Sequence, residues 1–341
     1  MVPKRWATIP LVAGTVDNHR KPKLAPNINA EILLAGVNIK NTIEDYIKDF
    51  QYILVINDAS TDQTKDILED LKKNNPGLSL LNNEKNLGAG YSFQLGIDFI
   101  KNNYEDIESI VKIDGDGQFD KKDVLEIKNI LNTTDLKFIK SNRFWENGIQ
   151  GNIPTIRFLG NSLASLLIKF ITGQYRINDP LNGLFGFNND LIKYIEIPKI
   201  FKRYGYPFYL NSLNVEMGFR FTEIKNTVKY NIGEKSQLKA TVLLFKLIKY
   251  SLKYFISNIR NKLRDSNLQM SANLDTFFIF LQALSFSATY KIIRIRYFDL
   301  SGSQSNWLII FVILQIFSIL VIYTSKNIEN RYRANNYYDQ A

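Results

Sequence analysis

Two rhythms of apolar and polar positions alternate over the first half of the chain. Short apolar runs at 52–56 (YILVI), 78–81, 109–113 and 137–139 predict buried strands, with a weaker one at 31–35. Between them, spacings of three and four residues predict helices at 42–50, 61–73, about 86–102 and 121–131. In the second of these, Ile67, Leu68 and Leu71 share a side, and Asp62 stands near the start, where a carboxylate suits the helix dipole. This alternation predicts an α/β fold with a parallel, doubly wound sheet flanked by helices. Ligands of such sheets bind beyond the carboxyl ends of the strands, and Asp58, Asn86, Gly88, Asp114 and Asp116 all fall at or near such ends.

The pattern loosens over 144–233. An amphipathic helix is expected at 157–171, a turn-rich loop at 179–186 leading into a strand, a helix at 211–218 and a strand at 220–224. From Ala240 the character changes. Ile248, Leu252, Phe255, Ile259 and Leu263 form one face, with Lys246, Lys249, Lys253 and Arg260 on another. Such a basic amphipathic helix suits a lipid headgroup layer or packing on the globular domain. Residues 307–324 (WLIIFVILQIFSILVIYT) carry no charge over 18 positions, enough to cross a hydrocarbon core. The stretch 274–290 is interrupted by Asp275, Gln282, Ser285, Ser287 and Thr289, and reads as a second span or an interfacial helix.

The division expected is an irregular leader at 1–29, a globular domain at 30–239, a basic juxtamembrane helix at 240–265, a membrane region of one or two spans at 272–325, and a polar tail at 326–341. A simple hairpin leaves Lys291, Arg294 and Arg296 outside, and Arg260, Lys262, Arg264, Lys326, Arg331 and Arg333 inside. The balance favours an integral membrane protein with its globular domain in the cytoplasm.

Composition narrows the chemistry. The 341 residues include no cysteine and one histidine, His19, which excludes disulfides, thiolate metal sites and catalysis by several histidines. Carboxylates are left to do the metal and acid–base work. The net charge of +10 invites a nucleic-acid reading, but eight Lys/Arg and no acid between Lys235 and Arg264 concentrate the charge beside apolar segments. That arrangement suits an anionic membrane surface better than a nucleic acid.

The strand at 109–113 runs into Asp114-Gly115-Asp116, two carboxylates on the same side of an extended chain. Either this is a polar turn, or a divalent cation lies between the two charges and carries a diphosphate. The run ILVINDASTDQT (53–64), then NLGAG (86–90), then KIDGDGQFD (112–120), resembles the family 2 inverting glycosyltransferases of GT-A fold, over roughly 37–239. The resemblance implies that Asp58 contacts the nucleotide base, that Asn86 and Gly88 open a helix beside the nucleotide-sugar donor, and that Asp114 and Asp116 hold Mg²⁺ or Mn²⁺, Asp116 more directly.

Further segments resemble the polyprenyl- (dolichol-) phosphate branch of that family. Ser141-Asn142-Arg143-Phe144 is similar to its G-S-R-F segment, Asp179-Pro180 with Gly183 to its acceptor-side loop, and 233–239, with Ser236 and Lys239, to the flexible segment before its membrane helices. The resemblance implies transfer of a sugar from a UDP- or GDP-sugar to polyprenyl phosphate, with Arg143, Ser236 and Lys239 as candidates for the acceptor phosphate. For Arg143 a surface ion pair is the other reading. Asp179 is read as base, turn residue or organiser of the phosphate site. A hydroxyl of an envelope glycan or lipid-linked saccharide is the alternative acceptor, and a non-catalytic membrane scaffold of the same fold the alternative from another class. Oligomeric state is left open. Against the family pattern, the first strand lacks its P-x-x-N-E ending, Ala59 and Asn182 replace a glycine and a small hydroxyl, Leu184 an aromatic, and Asn211 a carboxylate.

Overall fold

The computed structural model describes residues 11–12, 39–104, 107–115, 117–145, 149–150, 155–229, 240–298 and 303–338. The strand expected at 31–35, the metal candidate Asp116 and the acceptor candidates Ser236 and Lys239 lie outside them. Two compact units divide the chain, residues 1–170 with 174–250, and 171–173 with 251–341. The division falls inside the basic helix.

In the first unit, β1 (Leu11–Val12), β2 (Ile53–Asn57) and β3 (Leu78–Asn82) form one sheet. β2 pairs parallel with β3 from Ile53↔Leu78 to Asn57↔Asn82, and antiparallel with β1 at Leu11↔Val55. The leader, expected to be irregular, thus supplies two residues to the free edge of β2. A wholly buried strand needs partners for its amides and carbonyls on both sides. α1 (Ile39–Ile47), α2 (Thr64–Asn74) and α3 (Ala89–Asn103) belong to this half. α2 begins where Thr64 N donates to Asp62 Oδ1 at 3.1 Å, the acid expected near its start.

A second sheet is ordered β4 (Ser109–Lys112), β7 (Phe185–Asn188), β5 (Phe138–Asn142), β8 (Phe221–Lys225). β5 and β8 pair parallel. β7 runs antiparallel to both β4 and β5, so this sheet is mixed where strand–helix alternation predicts a parallel one. The cause is the connection: α5 (Thr155–Thr172) and the turn-rich loop bring the chain back to the carboxyl ends of β4 and β5, and β7 enters from there. A two-residue pair, β6 (Ile149–Gln150) with β9 (Val228–Lys229), stands apart.

One face of the second sheet carries Phe138, Phe185 and Phe187, whose rings join Phe93 of α3 and Tyr206 of α7 (Tyr206–Glu216); Phe93 stacks on Tyr206 at 5.0 Å between centroids. The other face takes α4 (Lys121–Thr133). Gly186 is required there, since a Cβ would lie 2.4 Å from Ile127 Cγ2 and 2.8 Å from Leu131 Cδ1. After β7 the short α6 (Asn189–Ile192) leads towards α7.

The second unit holds the end of α8 (Ala240–Leu263), then α9 (Gln269–Phe298) and α10 (Gln304–Tyr338). Contacts of Ser271 with Ser325 and of Phe277 with Phe317 set α9 and α10 antiparallel. Both are long and apolar enough to cross a membrane, and only 17% and 22% of their apolar stretches are buried. A knot of charge ties the three helices together. Lys262 donates to Ser271 and Asp275 and pairs with Glu329, which also receives Lys326 and Arg333.

Candidate active site

Asp58 follows directly on β2 and is wholly buried. Its Oδ1 accepts from Asn83 Nδ2 (2.8 Å) and Leu87 N (2.9 Å), its Oδ2 from Gly88 N (2.7 Å). These bonds fasten the strand end to the loop that opens α3, so in this structure Asp58 holds the Asn86–Gly88 segment in place. Asn86 reaches back to the Asp58 carbonyl at 3.4 Å and accepts from Arg203 Nη1 at 3.2 Å. Gly88 has φ +95°, and a Cβ would lie 2.6 Å from Arg203 Cγ. The first turn of α3 donates from Tyr91 N to the Lys202 carbonyl at 2.6 Å and from Gly90 N to that of Arg203 at 3.3 Å. The segment around Arg203 therefore caps the helix that the N-x-G motif opens. Ala59, where the family pattern has glycine, adopts φ +59°, a left-handed conformation that costs a residue with a side chain about 1 kcal/mol.

Asp114 extends from the end of β4. Lys112, 1% exposed, pairs its ammonium with Asp114 Oδ1 and donates to the Gly183 carbonyl at 2.9 Å. The same ammonium lies 5.7 Å from the Phe185 ring centroid and 5.5 Å from that of Tyr206. A Cβ on Gly183 would fall 2.0 Å from Asp114 Oδ2. The loop between Asp179 and β7 thus packs on the first acid of the D-x-D through a residue that has no side chain. The Tyr206 hydroxyl is buried without a hydrogen-bond partner among the described residues, and burial, helped by the Asp114 charge, pushes it well above the ordinary tyrosine range.

Among the described residues no group of three or more His, Asp and Glu is placed to hold a metal. A cation at Asp114 would take its remaining ligands from phosphate and water, together with Asp116. That is the habit of Mg²⁺ and, with its preference for hard oxygen ligands, of Mn²⁺. The donor set fits.

Arg143 and Asp179 meet at the far end of β5. Arg143 Nε donates to Asp179 Oδ2 at 2.8 Å and Nη2 to Oδ1 at 3.1 Å, a two-point fork, and Arg143 N adds 3.2 Å to Oδ2. Asp179 has no exposed surface and also accepts from Asn182 Nδ2 at 3.1 Å. So engaged, the Asp179 carboxylate fixes the orientation of the Arg143 guanidinium. Asn211 donates to Pro207 O at 2.7 Å and Pro180 O at 3.5 Å, supporting the loop from below.

Three residues of this region escape motif reading. Glu223 on β8 accepts from Asn178 N (2.8 Å), Asp179 N (3.3 Å) and Asn142 Nδ2 (2.8 Å), and so ties the loop to the sheet. Lys112 closes β4 (SIVK) and Lys140 is the middle residue of β5 (FIKSN), both buried. A lysine directly after two apolar strand residues is the signal that could have found both. Burial lowers the Lys140 ammonium to about 8, against the pull of Asp179 and Glu223 and with the push of Arg143.

Asp114 after β4 and the forked Arg143 after β5 thus stand at strand ends, where ligands of such sheets bind. Residues 35–193 match the family model described as Glycosyl transferase family 2. A dolichyl-phosphate beta-glucosyltransferase from Trichomonas vaginalis is 25% identical over 234 residues, covering 67% of this chain and 68% of its own length. Among solved structures, glucosyl-3-phosphoglycerate synthase from Mycobacterium tuberculosis, with Mn²⁺, UDP and glucosyl-3-phosphoglycerate, is similar at TM-score 0.43 and 16% identity, covering 66% of this chain and 77% of that one. A mannosyltransferase from Pyrobaculum calidifontis, with GDP-mannose and Mn²⁺, is similar at TM-score 0.39 and 13% identity, covering 87% and 84%. Residues 35–193 thus resemble a family 2 glycosyltransferase domain, and the chain is a glycosyltransferase.

Proposed function

We propose that this enzyme is anchored in a membrane by α9 and α10 and moves one sugar from a nucleoside diphosphate sugar to the phosphate of a polyprenyl lipid. The observation that carries the reading is the surface beside Arg143. Ile156, Leu159, Leu163 and Leu166 of α5 are 58%, 52%, 44% and 64% exposed, a stripe along one side of the helix. Phe158, also exposed, meets Phe144 edge-on at 5.8 Å, and Phe144 lies under the Arg143 guanidinium. A guanidinium fork beside an uncovered apolar stripe suits an amphiphile with an anionic head. The name of the Trichomonas relative, a dolichyl-phosphate enzyme, points the same way.

The chemistry needs little from the chain beyond placement. A phosphate monoester is largely ionised at neutral pH, with a second pKa of ~6, so its oxygen attacks without a general base. The new bond joins that oxygen to the anomeric carbon as the bond to the nucleoside diphosphate breaks, from opposite faces and with inversion. Arg143, held by Asp179, orients the phosphate; Lys112 and Gly183 hold Asp114 on the donor side. A divalent cation bound by Asp114 and Asp116 supplies neutralising charge to the diphosphate. The domain faces the cytoplasm in this reading, with the basic face of α8 against the headgroups.

Purified protein incubated with labelled UDP-glucose or GDP-mannose, Mg²⁺ or Mn²⁺ and a short polyprenyl phosphate is expected to yield labelled lipid. Product only with an oligosaccharide acceptor would transfer the assignment to a hydroxyl-glycosylating enzyme. No metal-dependent heat with either UDP or GDP would mark a scaffold.

A further inference from the structure

Strand register places four side chains in one row across the second sheet: Lys112 on β4, Phe185 on β7, Lys140 on β5 and Glu223 on β8. Residues paired across neighbouring strands project to the same face, so two lysines flank one phenylalanine. Their surroundings differ. Lys112 is spent on Asp114 and the Gly183 carbonyl. Lys140 is 1% exposed, and its Nζ has no hydrogen-bond partner among the described residues. An amine in that position costs stability and packs no better than a methionine, so its use has to be sought in charge.

The charges that face it belong to the acceptor side. Glu223 stands opposite on β8, Asp179 comes from the loop before β7, and Arg143 follows β5. Both carboxylates are already saturated with hydrogen bonds, Asp179 from Arg143 and Asn182, Glu223 from Asn142, Asn178 and Asp179 N. Two negative charges and one positive leave this group at −1, where a phosphate with nearly two negative charges has to dock. We propose that Lys140 is a positioning residue of the acceptor site, a fourth charge, itself buried, that brings the Arg143–Asp179–Glu223 cluster to neutrality so that Arg143 attracts a phosphate monoester. It acts through the field, which reaches further in a buried setting than in water. The inference rests on the phosphate-acceptor reading above.

The test is equilibrium binding of a short polyprenyl phosphate, and of the matching uncharged polyprenol, to the full-length protein in detergent between pH 6.5 and 9. Wild type is expected to prefer the phosphate at least tenfold at pH 7, the preference falling above about pH 8 as the ammonium deprotonates. Lys140→Met is expected to lose most of that preference at every pH while UDP binding holds and the melting temperature rises. Lys140→Arg is expected to keep it and to remove the fall. A purely structural lysine would move stability and leave the preference alone. If Lys140→Met keeps the wild-type preference, the proposal is overturned and the phosphate reading stands. If wild type shows no preference for phosphate over polyprenol, that reading falls and the proposal with it. Should Lys140→Met fail to fold, a wild-type preference that is flat from pH 7 to 9 overturns the proposal.

Discussion

Lys112 and Asp114 point from the end of β4 to the same side and form an ion pair, so the first acid of the D-x-D is fixed by its own strand. The remaining freedom is removed by Gly183, whose missing side chain leaves the space that Asp114 Oδ2 fills. Gly183→Ala puts a methyl 2.0 Å from that oxygen. The variant is expected to fold and to bind UDP with Mn²⁺ at least tenfold more weakly by calorimetry. Binding within twofold of wild type would remove Asp114 from the metal–diphosphate site.

Asp58→Asn replaces one carboxylate oxygen with a donor that faces the amides of Asn83 and Leu87 or the amide of Gly88. Losing charge-assisted bonds and leaving a buried donor without an acceptor is expected to cost about 2 kcal/mol, read from urea unfolding. Because the loop it holds opens α3, donor affinity is expected to fall as well. Unchanged stability with lost donor binding would instead favour direct contact between Asp58 and the base.

Lys140 gives stability a pH dependence of defined sign. Its folded value of about 8 lies below the ordinary 10.5. Below pH 8 both folded and unfolded chains hold the proton, and the folded state bears the full burial cost. Between about 8 and 10.5 the unfolded chain binds more protons, so stability rises with pH. Wild type, less stable than Lys140→Met at pH 7, is expected to close a gap on the order of 3 kcal/mol by pH 10.5. Parallel melting curves of the two proteins check it.

Lys262, wholly buried on α8, faces Asp275 of α9 and Glu329 of α10. Lys262→Met strands Asp275 and takes one of three cations from Glu329, and is expected to destabilise the helical unit by about 3–5 kcal/mol, seen as a lower melting temperature in detergent. Adding Asp275→Leu removes the stranded charge and is expected to restore part of the loss.

Legibility followed local periodicity. β2, β3, β4, α3 and α4 lie within a residue or three of where apolar spacing puts them, because each buries a face whose pattern is complete within the element. β7 did not reveal its direction, since an antiparallel insertion is decided by a connection that returns to the sheet and not by the four residues FGFN. β1 escaped because two residues carry no period, and its partner lies 44 positions on at Leu11↔Val55. In the candidate site, the motifs single out Asp58, Asn86, Asp114, Arg143 and Asp179 but not the residues that support them. Glu223 sits in FTEIK with no neighbour in sequence to announce it, and meets Asn178 and Asn142 only through the fold.

β7 has a further bearing on how the enzyme comes into being. Donor-side β4 and acceptor-side β5 do not touch in the sheet order; each is hydrogen-bonded to β7. Ser109 waits for Asn188, and Phe138 for Phe187, so long loops close before either pairing forms. A ribosome-bound chain that has emerged only as far as α5 holds Asp58, Asp114 and Arg143, but neither Asp179 nor Glu223 and no joint between β4 and β5. Activity is therefore expected to appear late in synthesis, only after β7 and β8 have both emerged.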